Sequence, residues 1–262
     1  MNKKVFTEKI IVATSQYMTV DYTRKLYNSI SKEGIPFTFM VAFDGTPKAK
    51  RDSLEDIVDI GLNFKQEIHS IPEIWNCIFN LSKSTDAEFL LICDNDQELK
   101  HGSFTRMVSL MNKWDVISPV KIDKDVERFN SYCSNEEPVE VIGFNDSTWF
   151  LRLSKVKWNP EDRKYGPFGF EDVPFVYDLW RNGARFVVDP QAVTFHYCSQ
   201  DTGNCFNPVD REKYSKEWDK KRDFFLATNG PDAQWFFDNV IMNAEGIKRF
   251  GYPVFIKKEI DK

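Results

Sequence analysis

The sequence predicts an α/β fold built on a parallel or mostly parallel sheet with helices on both faces. Between residues 9 and 120, short apolar runs alternate with segments whose apolar residues recur at helical spacing. This alternation is typical of repeated strand–helix–strand units, which form parallel sheets. The chain has 262 residues, of which 42% are hydrophobic, so it can form one large domain with a full core.

Three strands and two helices are predicted at the start of the chain. The strands are KIIVAT (9–14), PFTFMVAFDG (36–45) and a short segment near 63–68. The helix between the first two strands places Leu26 and Ile30 on one face. The second helix, RDSLEDIVDIG, places Leu54, Ile57 and Val58 at helical spacing. Both helices therefore have an apolar face that can pack against the sheet.

The next predicted elements surround a strand that ends in acidic residues. Ser70, Pro72 and Glu73 form a capping box with a proline in the first turn, which predicts the start of a helix. A strand at 88–93 follows, and SFTRMVSLMNKW after it has its apolar residues three and four positions apart. WDVISPV then predicts another strand. The strand–helix alternation thus continues through this part of the chain.

The second half of the chain predicts a different organisation. Residues 122–138 are polar and predict a mobile loop. The other predicted elements are strands in VEVIGF and STWFLRLS, which can be antiparallel, a short helix in EDVPFVYDLWRNG, and strands in ARFVVDP and AVTFHY. A mainly helical tail then closes on the strand-like YPVFIKK. We therefore divide the chain into a domain of residues 1–207 and a mainly helical C-terminal extension of residues 208–262.

Charge and cysteine content narrow the function classes. The 40 acidic and 35 basic residues give a net charge of −5, which is not the footprint of a nucleic-acid-binding chain. The five cysteines form no C-x-x-C pair, which predicts reduced thiols and not a disulfide framework. The opening apolar run, IIVA, is too short for a signal peptide, and no later segment approaches a membrane span. The composition predicts a soluble, cytoplasmic protein.

The segment EFLLICDNDQELK (88–100) places Asp94 and Asp96 directly after a buried strand. Aspartates also occur in ordinary polar turns. However, two neighbouring carboxylates repel each other, and a cation relieves that repulsion. In sheets of this kind, ligands bind beyond the carboxyl ends of the strands, where Thr14 and Asp44 are also expected. The pattern predicts one shared cleft.

The sequence lacks the glycine-rich loops that bind phosphates in other folds. Neither G-x-G-x-x-G nor G-K-[ST] follows the first strand. A bound diphosphate then needs its charge neutralised in another way, and Mg²⁺ and Mn²⁺ take carboxylate oxygens and bridge phosphate oxygens. We expect Asp94 and Asp96 to lie on the same side of a tight turn and to hold a divalent cation, Mn²⁺ or Mg²⁺.

Four segments together resemble the GT-A class of nucleotide-sugar glycosyltransferases, most closely its family 2-like members. LLICDNDQEL is similar to the strand that ends in the D-x-D motif, and MVAFDGT to the second strand with its base-recognising aspartate. IWNCIFNLSKSTDAEFLLICDND resembles the helix with an asparagine that precedes the D-x-D strand. YGPFGFEDVPFVYDLWRNGARFVVDPQAVTFHY resembles the glycine loop, the Glu-Asp pair that opens a helix, and the later histidine. The resemblance covers residues 8–197 and implies the Rossmann-like GT-A fold.

The resemblance implies roles for residues around the donor and the metal. The implied donor-binding residues are Thr14, Asp44, Asn76 and Asp94, and the implied metal-binding residues are Asp94, Asp96 and His196. Asp96 would coordinate the cation, and Asp94 would contact the ribose or a metal-bound water. Asp44 would hold the base. From the residues alone, Asp44 is also explained as a turn residue, and His196 as a core histidine with a satisfied ring.

The resemblance also implies a catalytic pair. Asp172 would be the general base that deprotonates the acceptor, and Glu171 would orient the acceptor hydroxyl. An aspartate in that place favours direct displacement with inversion. From the residues alone, both acids are also explained as complements of a helix N-terminus.

The implied activity is transfer of a sugar from a nucleotide-diphosphate donor, most simply a UDP-sugar, to an acceptor hydroxyl. The acceptor stays open between a glycan, a lipid-linked saccharide, a protein and a modified DNA base, since the basic run Lys220-Lys221-Arg222 leaves a nucleic-acid acceptor open. One alternative is a non-catalytic nucleotide- or carbohydrate-binding protein on the same fold. Another is a sugar-phosphate nucleotidyltransferase, which the absence of glycine in ATSQYM disfavours.

Overall fold

The computed structural model has one central sheet with helices packed on both faces. The described residues are 9–16, 19–64, 71–144, 146, 148–157, 170, 172–197, 208–243 and 245–256, with the backbone alone described for 208–216 and 245. Within this part of the chain the sheet has ten strands, most of which run in the same direction, with both parallel and antiparallel pairings. The predicted α/β fold class is confirmed.

The first half of the chain alternates strands and helices. Its elements are β1 (Ile10–Gln16), α1 (Val20–Ser31), β2 (Thr38–Asp44), α2 (Lys48–Asp52), β3 (Ile60–Phe64), α3 (Ile71–Ser84), β4 (Phe89–Cys93), β5 (Gln97–Leu99) and α4 (Ser103–Leu110). Gly34, just after α1, has a φ of 67°, a left-handed conformation that glycine adopts without a steric penalty. The Glu33 carboxylate accepts hydrogen bonds from the backbone N–H groups of Gly102 and Phe104, both at 3.1 Å. The end of α1 therefore caps the start of α4.

The second half mixes strand directions and ends in helices. Its elements are β6 (Val116–Asp123), α5 (Val126–Ser131), β7 (Val139–Phe144), β8 (Thr148–Arg152), α6 (Asp172–Arg181), β9 (Phe186–His196), α7 (Pro208–Asn229), α8 (Pro231–Phe236), α9 (Glu245–Phe250) and β10 (Val254–Ile256). A π-helical segment, Phe237–Ile241, follows α8 directly.

The strand order sets where ligands can bind. Across the sheet the strands follow the order β10-β7-β9-β6-β8-β4-β1-β2-β3, and β5 pairs with the end of β9. β1 is parallel to β2 and β4, while β8 is antiparallel to both β4 and β6. β6 is parallel to β9, and β7 is antiparallel to β9. The carboxyl ends of β1, β2, β4, β6 and β9 therefore share one edge of the sheet, which we call the carboxyl edge.

The core consists of two apolar layers, one on each face of the sheet. Along β1, Ile10 and Val12 belong to one layer, while Ile11 and Ala13 belong to the other. This alternation follows from the two-residue period of a strand. The first layer is closed by α1 and α4, and the second by α3, α6 and the C-terminal helices. Strands buried on both faces explain the continuous apolar runs in the sequence.

Three predicted elements differ in the structure. α2 ends at Asp52, and Leu54 and Ile57 reach the core from the turn that follows, in which the Ile57 N–H donates to the Leu54 carbonyl at 3.0 Å. The predicted loop at 122–138 is wrong in its middle, because Asp125 caps α5 by accepting a hydrogen bond from the Arg128 N–H at 2.9 Å.

The third difference is that ARFVVDP and AVTFHY form the single strand β9, whose register with β6 shifts between Pro119 and Val120. The predicted capping residue Ser70 and the end of the predicted third strand lie outside the described residues. β3 itself starts at Ile60, earlier than predicted.

The C-terminal segment packs directly on strand β6. β10 pairs antiparallel with β7, which makes it part of the central sheet. The Tyr252 hydroxyl donates to the Pro119 carbonyl at 2.8 Å. A Cβ atom on Gly251, which has a φ of 90°, would clash with the Lys121 carbonyl oxygen. Only glycine permits this approach of the two backbones.

Candidate metal and donor site

The turn after β4 separates its asparagine from its two aspartates. The Asn95 Nδ2 atom donates to the Thr19 carbonyl at 3.4 Å and lies 3.2 Å from the side-chain amide of Gln16. Gln16 is fully buried at the end of β1. Asn95 therefore ties the turn to the neighbouring β1–α1 connection. Asp94 and Asp96 instead belong to a group of possible metal ligands.

Strand pairing brings His196 to this turn. Gln97 in β5 is the direct partner of His196 in β9, and the Tyr197 N–H donates to the Asp96 carbonyl at 2.9 Å. The His196 Nε2 atom lies 3.4 Å from the Asp96 Oδ1 atom. One ligand atom from each of Asp94, Asp96 and His196 lies within 4.8 Å of the others. The three residues predicted to surround the metal are thus together in space.

A second carboxylate holds the other side of the histidine ring. The His196 Nδ1 atom is 2.9 Å from the Asp123 Oδ1 atom. Burial by itself lowers the pKa of His196, but hydrogen bonds to Asp123 and Asp96 and the charges of Asp96 and Asp94 outweigh it and raise the pKa to about 10. The sequence does not predict a role for Asp123. Only the pairing of β6 with β9 in the structure brings it to His196.

A buried ion pair lies next to these groups and was also missed. The Lys121 Nζ atom is 3.2 Å from Asp146 Oδ1, and the Ser118 hydroxyl donates to Asp146 Oδ2 at 2.7 Å. The Asp146 side chain is 0% exposed. Burial opposes the charge of Lys121, but the carboxylates of Asp146 and Asp123 raise its pKa above the ordinary value. The charges of Asp123 and Asp94 also act on Lys121, so this ion pair, which is neutral as a whole, lies close to the acidic cluster.

The predicted donor-binding residues lie on neighbouring elements. Thr14 is fully buried in β1, and Asp44, 6% exposed, ends β2. Since β1 lies between β2 and β4, both residues share the carboxyl edge with Asp94. Asn76 is half-buried in α3, where its Oδ1 atom accepts a hydrogen bond from Asn80 at 3.0 Å. Their roles in donor binding stay predictions.

The predicted catalytic aspartate begins a helix. Asp172 is the first residue of α6, and its Oδ1 atom accepts a hydrogen bond from the Val173 N–H at 3.0 Å. That contact is with the next residue in the chain, and the role of Asp172 as general base stays a prediction. Glu171 lies outside the described residues.

The donor set of the acidic group fits a divalent cation. Two carboxylates and one imidazole are ligands that Mn²⁺ accepts, whereas Mg²⁺ prefers an all-oxygen shell. The three residues are half-buried or buried, so a bound ion would be partly shielded from water. The residues present are therefore compatible with the predicted cation site.

The order and the directions of the strands define the fold class. The chain has the GT-A fold of nucleotide-sugar glycosyltransferases, as its solved structural neighbours show.

Among these neighbours, the crystal structure of GalNAc-T7 with UDP, GalNAc and Mn²⁺ matches with a TM-score of 0.58 and 11% identity, over 74% of this chain and 44% of that one. The structure of S. aureus TarS 1–349 matches with a TM-score of 0.56 and 15% identity, over 85% of this chain and 74% of that one. A longer S. aureus TarS structure matches with a TM-score of 0.57 and 15% identity, over 86% and 41%. This chain thus spans less than half of GalNAc-T7 and of the longer TarS.

Comparisons of the sequence with protein families and with curated proteins found no match. In the part of the chain that the structure describes, no helix combines the length and apolar character needed to cross a membrane.

Proposed function

We propose that this protein is a glycosyltransferase that moves a sugar from a nucleotide-diphosphate donor, a UDP-sugar, to an acceptor hydroxyl with the help of a divalent cation. The proposal depends mainly on one observation, the group of Asp94, Asp96 and His196, whose ligand atoms lie within 4.8 Å at the carboxyl edge. The solved neighbours of this fold are glycosyltransferases, and the GalNAc-T7 structure contains UDP and Mn²⁺. Both facts support a nucleotide-sugar donor.

Asp94, Asp96 and His196 would hold the cation through two carboxylates and one ring nitrogen. A divalent ion held there would supply positive charge to offset the negative charge of the leaving diphosphate. The fold has no glycine-rich phosphate loop after β1, so this neutralisation has to come from ligands at the D-x-D turn.

Donor selection would depend on the parallel half of the sheet. The Asp44 carboxylate, at the end of β2, can accept a hydrogen bond from the N3–H group of uracil, which cytosine lacks. Thr14 and Asn76 would line the nucleotide pocket from β1 and α3.

Proton transfer would depend on Asp172. Its position at the start of α6 places the carboxylate at the positive end of a helix dipole, which favours the ionised form that a base needs. In the proposed step, the acceptor oxygen forms a bond to the sugar carbon as the bond to the diphosphate breaks, and Asp172 receives the hydroxyl proton. Configuration at the sugar carbon then inverts. Glu171 would orient the acceptor hydroxyl, and the proposed acceptor class is a glycan.

Calorimetric titration with UDP tests the cation site. We expect UDP to bind the wild-type protein in Mn²⁺ and to bind weakly or not at all in EDTA. Asp96→Asn should lose the dependence on Mn²⁺, because it removes one ligand charge, whereas Asp238→Asn, at an exposed carboxylate, should behave as wild type. Equal UDP affinity with and without Mn²⁺ for wild type and Asp96→Asn would contradict the proposal.

Donor hydrolysis distinguishes an enzyme from a binding protein on the same fold. With Mn²⁺ present, a transferase that lacks its acceptor slowly passes the sugar to water. We expect UDP release from UDP-sugars in wild type and none in Asp96→Asn. Tight Mn²⁺-dependent binding without any hydrolysis or transfer would favour the non-catalytic alternative.

A further inference from the structure

The end of β6 holds His196 through both its side chain and its backbone. Asp123 is the direct register partner of His196 across the β6–β9 pair. Its Oδ1 atom is 2.9 Å from the ring Nδ1 atom. The N–H group of the next residue, Lys124, donates to the His196 carbonyl at 3.1 Å. Two consecutive residues of β6 and the turn after it thus fix one residue of β9.

The backbone directly after Asp123 is in an uncommon conformation. Lys124 has a φ of 57° and, among the described residues, is alone among non-glycines in having a positive φ. This conformation costs about 1 kcal/mol or more for a residue with a side chain, and such outliers cluster at functional sites. The turn is closed by the Asp125 N–H, which donates to the Asp123 carbonyl at 2.7 Å. The turn ends β6 at the residue that contacts the ring of His196.

The contact with Asp123 defines the orientation of the two ring nitrogens of His196. An ionised carboxylate can only accept hydrogen bonds, so the Nδ1 atom of His196 must carry the proton in this contact. The Nε2 atom, which lies 3.4 Å from Asp96 Oδ1, is then the ring atom that faces the candidate metal ligands. Histidines that bind metals commonly donate their other N–H to a carboxylate, which fixes ring orientation and raises ligand basicity.

We propose that Asp123 is a positioning residue for the cation site, which orients His196 so that Nε2 faces Asp94 and Asp96. This inference rests on the proposed function, because it assigns Asp123 a task in the same cation site. Asp123 does not belong to the ligand group itself. Its role is therefore to act through His196.

Mn²⁺ affinity of the full chain, measured by electron paramagnetic resonance, tests this role without any need for activity. Asp123→Ala removes the hydrogen-bond acceptor and should weaken Mn²⁺ binding about 10–100-fold, the usual effect of removing such a partner. Asp123→Asn keeps an acceptor oxygen and should recover part of that loss. Asp125→Ala is the matched control, because it removes a neighbouring charge that caps α5 and does not touch His196. Unchanged affinity in Asp123→Ala would overturn the proposal.

A double-mutant cycle separates positioning from simple charge. In a His196→Ala background, Asp123→Ala should change Mn²⁺ affinity by less than about threefold, since the residue through which it acts is gone. The same loss in both backgrounds would mean that Asp123 attracts the cation directly, and would overturn the positioning role.

Nuclear magnetic resonance makes the two proposals distinguishable. The chain has three histidines, so the ring N–H signals can be assigned by substitution. We expect a slowly exchanging Nδ1–H proton of His196 in wild type and Asp125→Ala, and its loss in Asp123→Ala. If wild type shows that proton but binds no Mn²⁺, the proposed function fails and the fixed ring orientation stands. If the proton is absent from wild type, Asp123 does not position His196, whatever the protein binds.

Discussion

The two halves of the carboxyl edge are built in different ways. In the parallel half, each candidate residue lies at the end of a strand or directly after it. Asp44 ends β2, and Asp94 follows β4. In the second half, Asp123 meets His196 only because β6 pairs with β9, and Asp146, just before β8, reaches Lys121 and Ser118 of β6. Position in the first half depends on local sequence, and in the second half on strand register. Under the proposed function, both halves contribute to the cation site, with Asp94 and Asp96 from the parallel half and His196 from the second half.

The largest expected effect lies in the second half. Asp172→Asn should lower turnover about 10²–10⁴-fold, the usual contribution of a general base, while donor affinity stays close to wild type. Glu171→Gln should reduce turnover less and act mainly through the KM for the acceptor. Steady-state kinetics with a calorimetric donor titration measures both quantities. Near-normal turnover, or a loss of folding stability instead, would mean that Asp172 only caps α6.

The buried pair of Lys121 and Asp146 tests what stabilises the second half of the carboxyl edge. Lys121→Met leaves the fully buried Asp146 carboxylate without its cation and should lower the free energy of unfolding by about 3–5 kcal/mol. The double variant Lys121→Met/Asp146→Asn removes the buried charge and should recover most of that loss, since the introduced amide oxygen can still accept from Ser118. Urea denaturation measures both changes. If the single variant is as stable as wild type, the second half is not held by this pair.

In the parallel half we expect a smaller effect that concerns selectivity. Asp44→Ala removes the acceptor proposed for uracil N3–H and should reduce the preference for UDP over CDP about tenfold, equivalent to one hydrogen bond to a charged group. Competitive titration of UDP, CDP and GDP in Mn²⁺ gives the ratio. If the wild-type protein binds UDP, CDP and GDP with equal affinity, the proposed contact of Asp44 with the base is wrong.

The smallest expected effect concerns pH and lies away from the cation site. Burial raises the pKa of Asp178 in α6 to about 6, although Arg181 opposes the shift. Because the folded state then binds the proton more tightly than the unfolded state, stability falls as pH rises from about 4 to about 6 and is lower by ~1 kcal/mol at pH 7. Asp178→Asn should therefore raise the melting temperature at pH 7 but not at pH 4. Asp232→Asn, at an exposed carboxylate, is the control. An equal shift at both pH values would contradict the linkage.

The contrast between local sequence and strand register explains which site residues can be predicted from the sequence. The strand-end acids of the parallel half were found because an apolar run followed by polar residues is a local pattern. Leu26 and Ile30, both fully buried, were likewise found from helical spacing. Asp123 follows an apolar run too, but the run is short and interrupted by Lys121, so the sequence predicts a loop there. Only the register of β6 with β9 identifies its partner.

Local sequence patterns also do not predict how Leu54 and Ile57 reach the core or why Asp146 is buried. Leu54 and Ile57 have helical spacing but reach the core from a turn, because α2 ends at Asp52. Asp146 lies in a polar segment typical of a turn, yet its side chain is fully buried because Lys121 and Ser118 satisfy it across a gap where β6 no longer pairs with β8. A buried charge is compatible with folding only when distant partners exist, and one sequence does not reveal them.

The contact of Gly251 with the Lys121 carbonyl has a consequence for biosynthesis. The ribosome makes residues 250–256 after β6 and β7, so these two strands leave the exit tunnel before this packing partner exists. Until then, β7 presents an unpaired edge, and the Pro119 carbonyl lacks its hydrogen bond from Tyr252. Since synthesis runs at about 5–20 residues per second, the chain between β9 and β10 takes seconds to make. During that interval the nascent chain is most open to chaperones and to aggregation through the edge of β7.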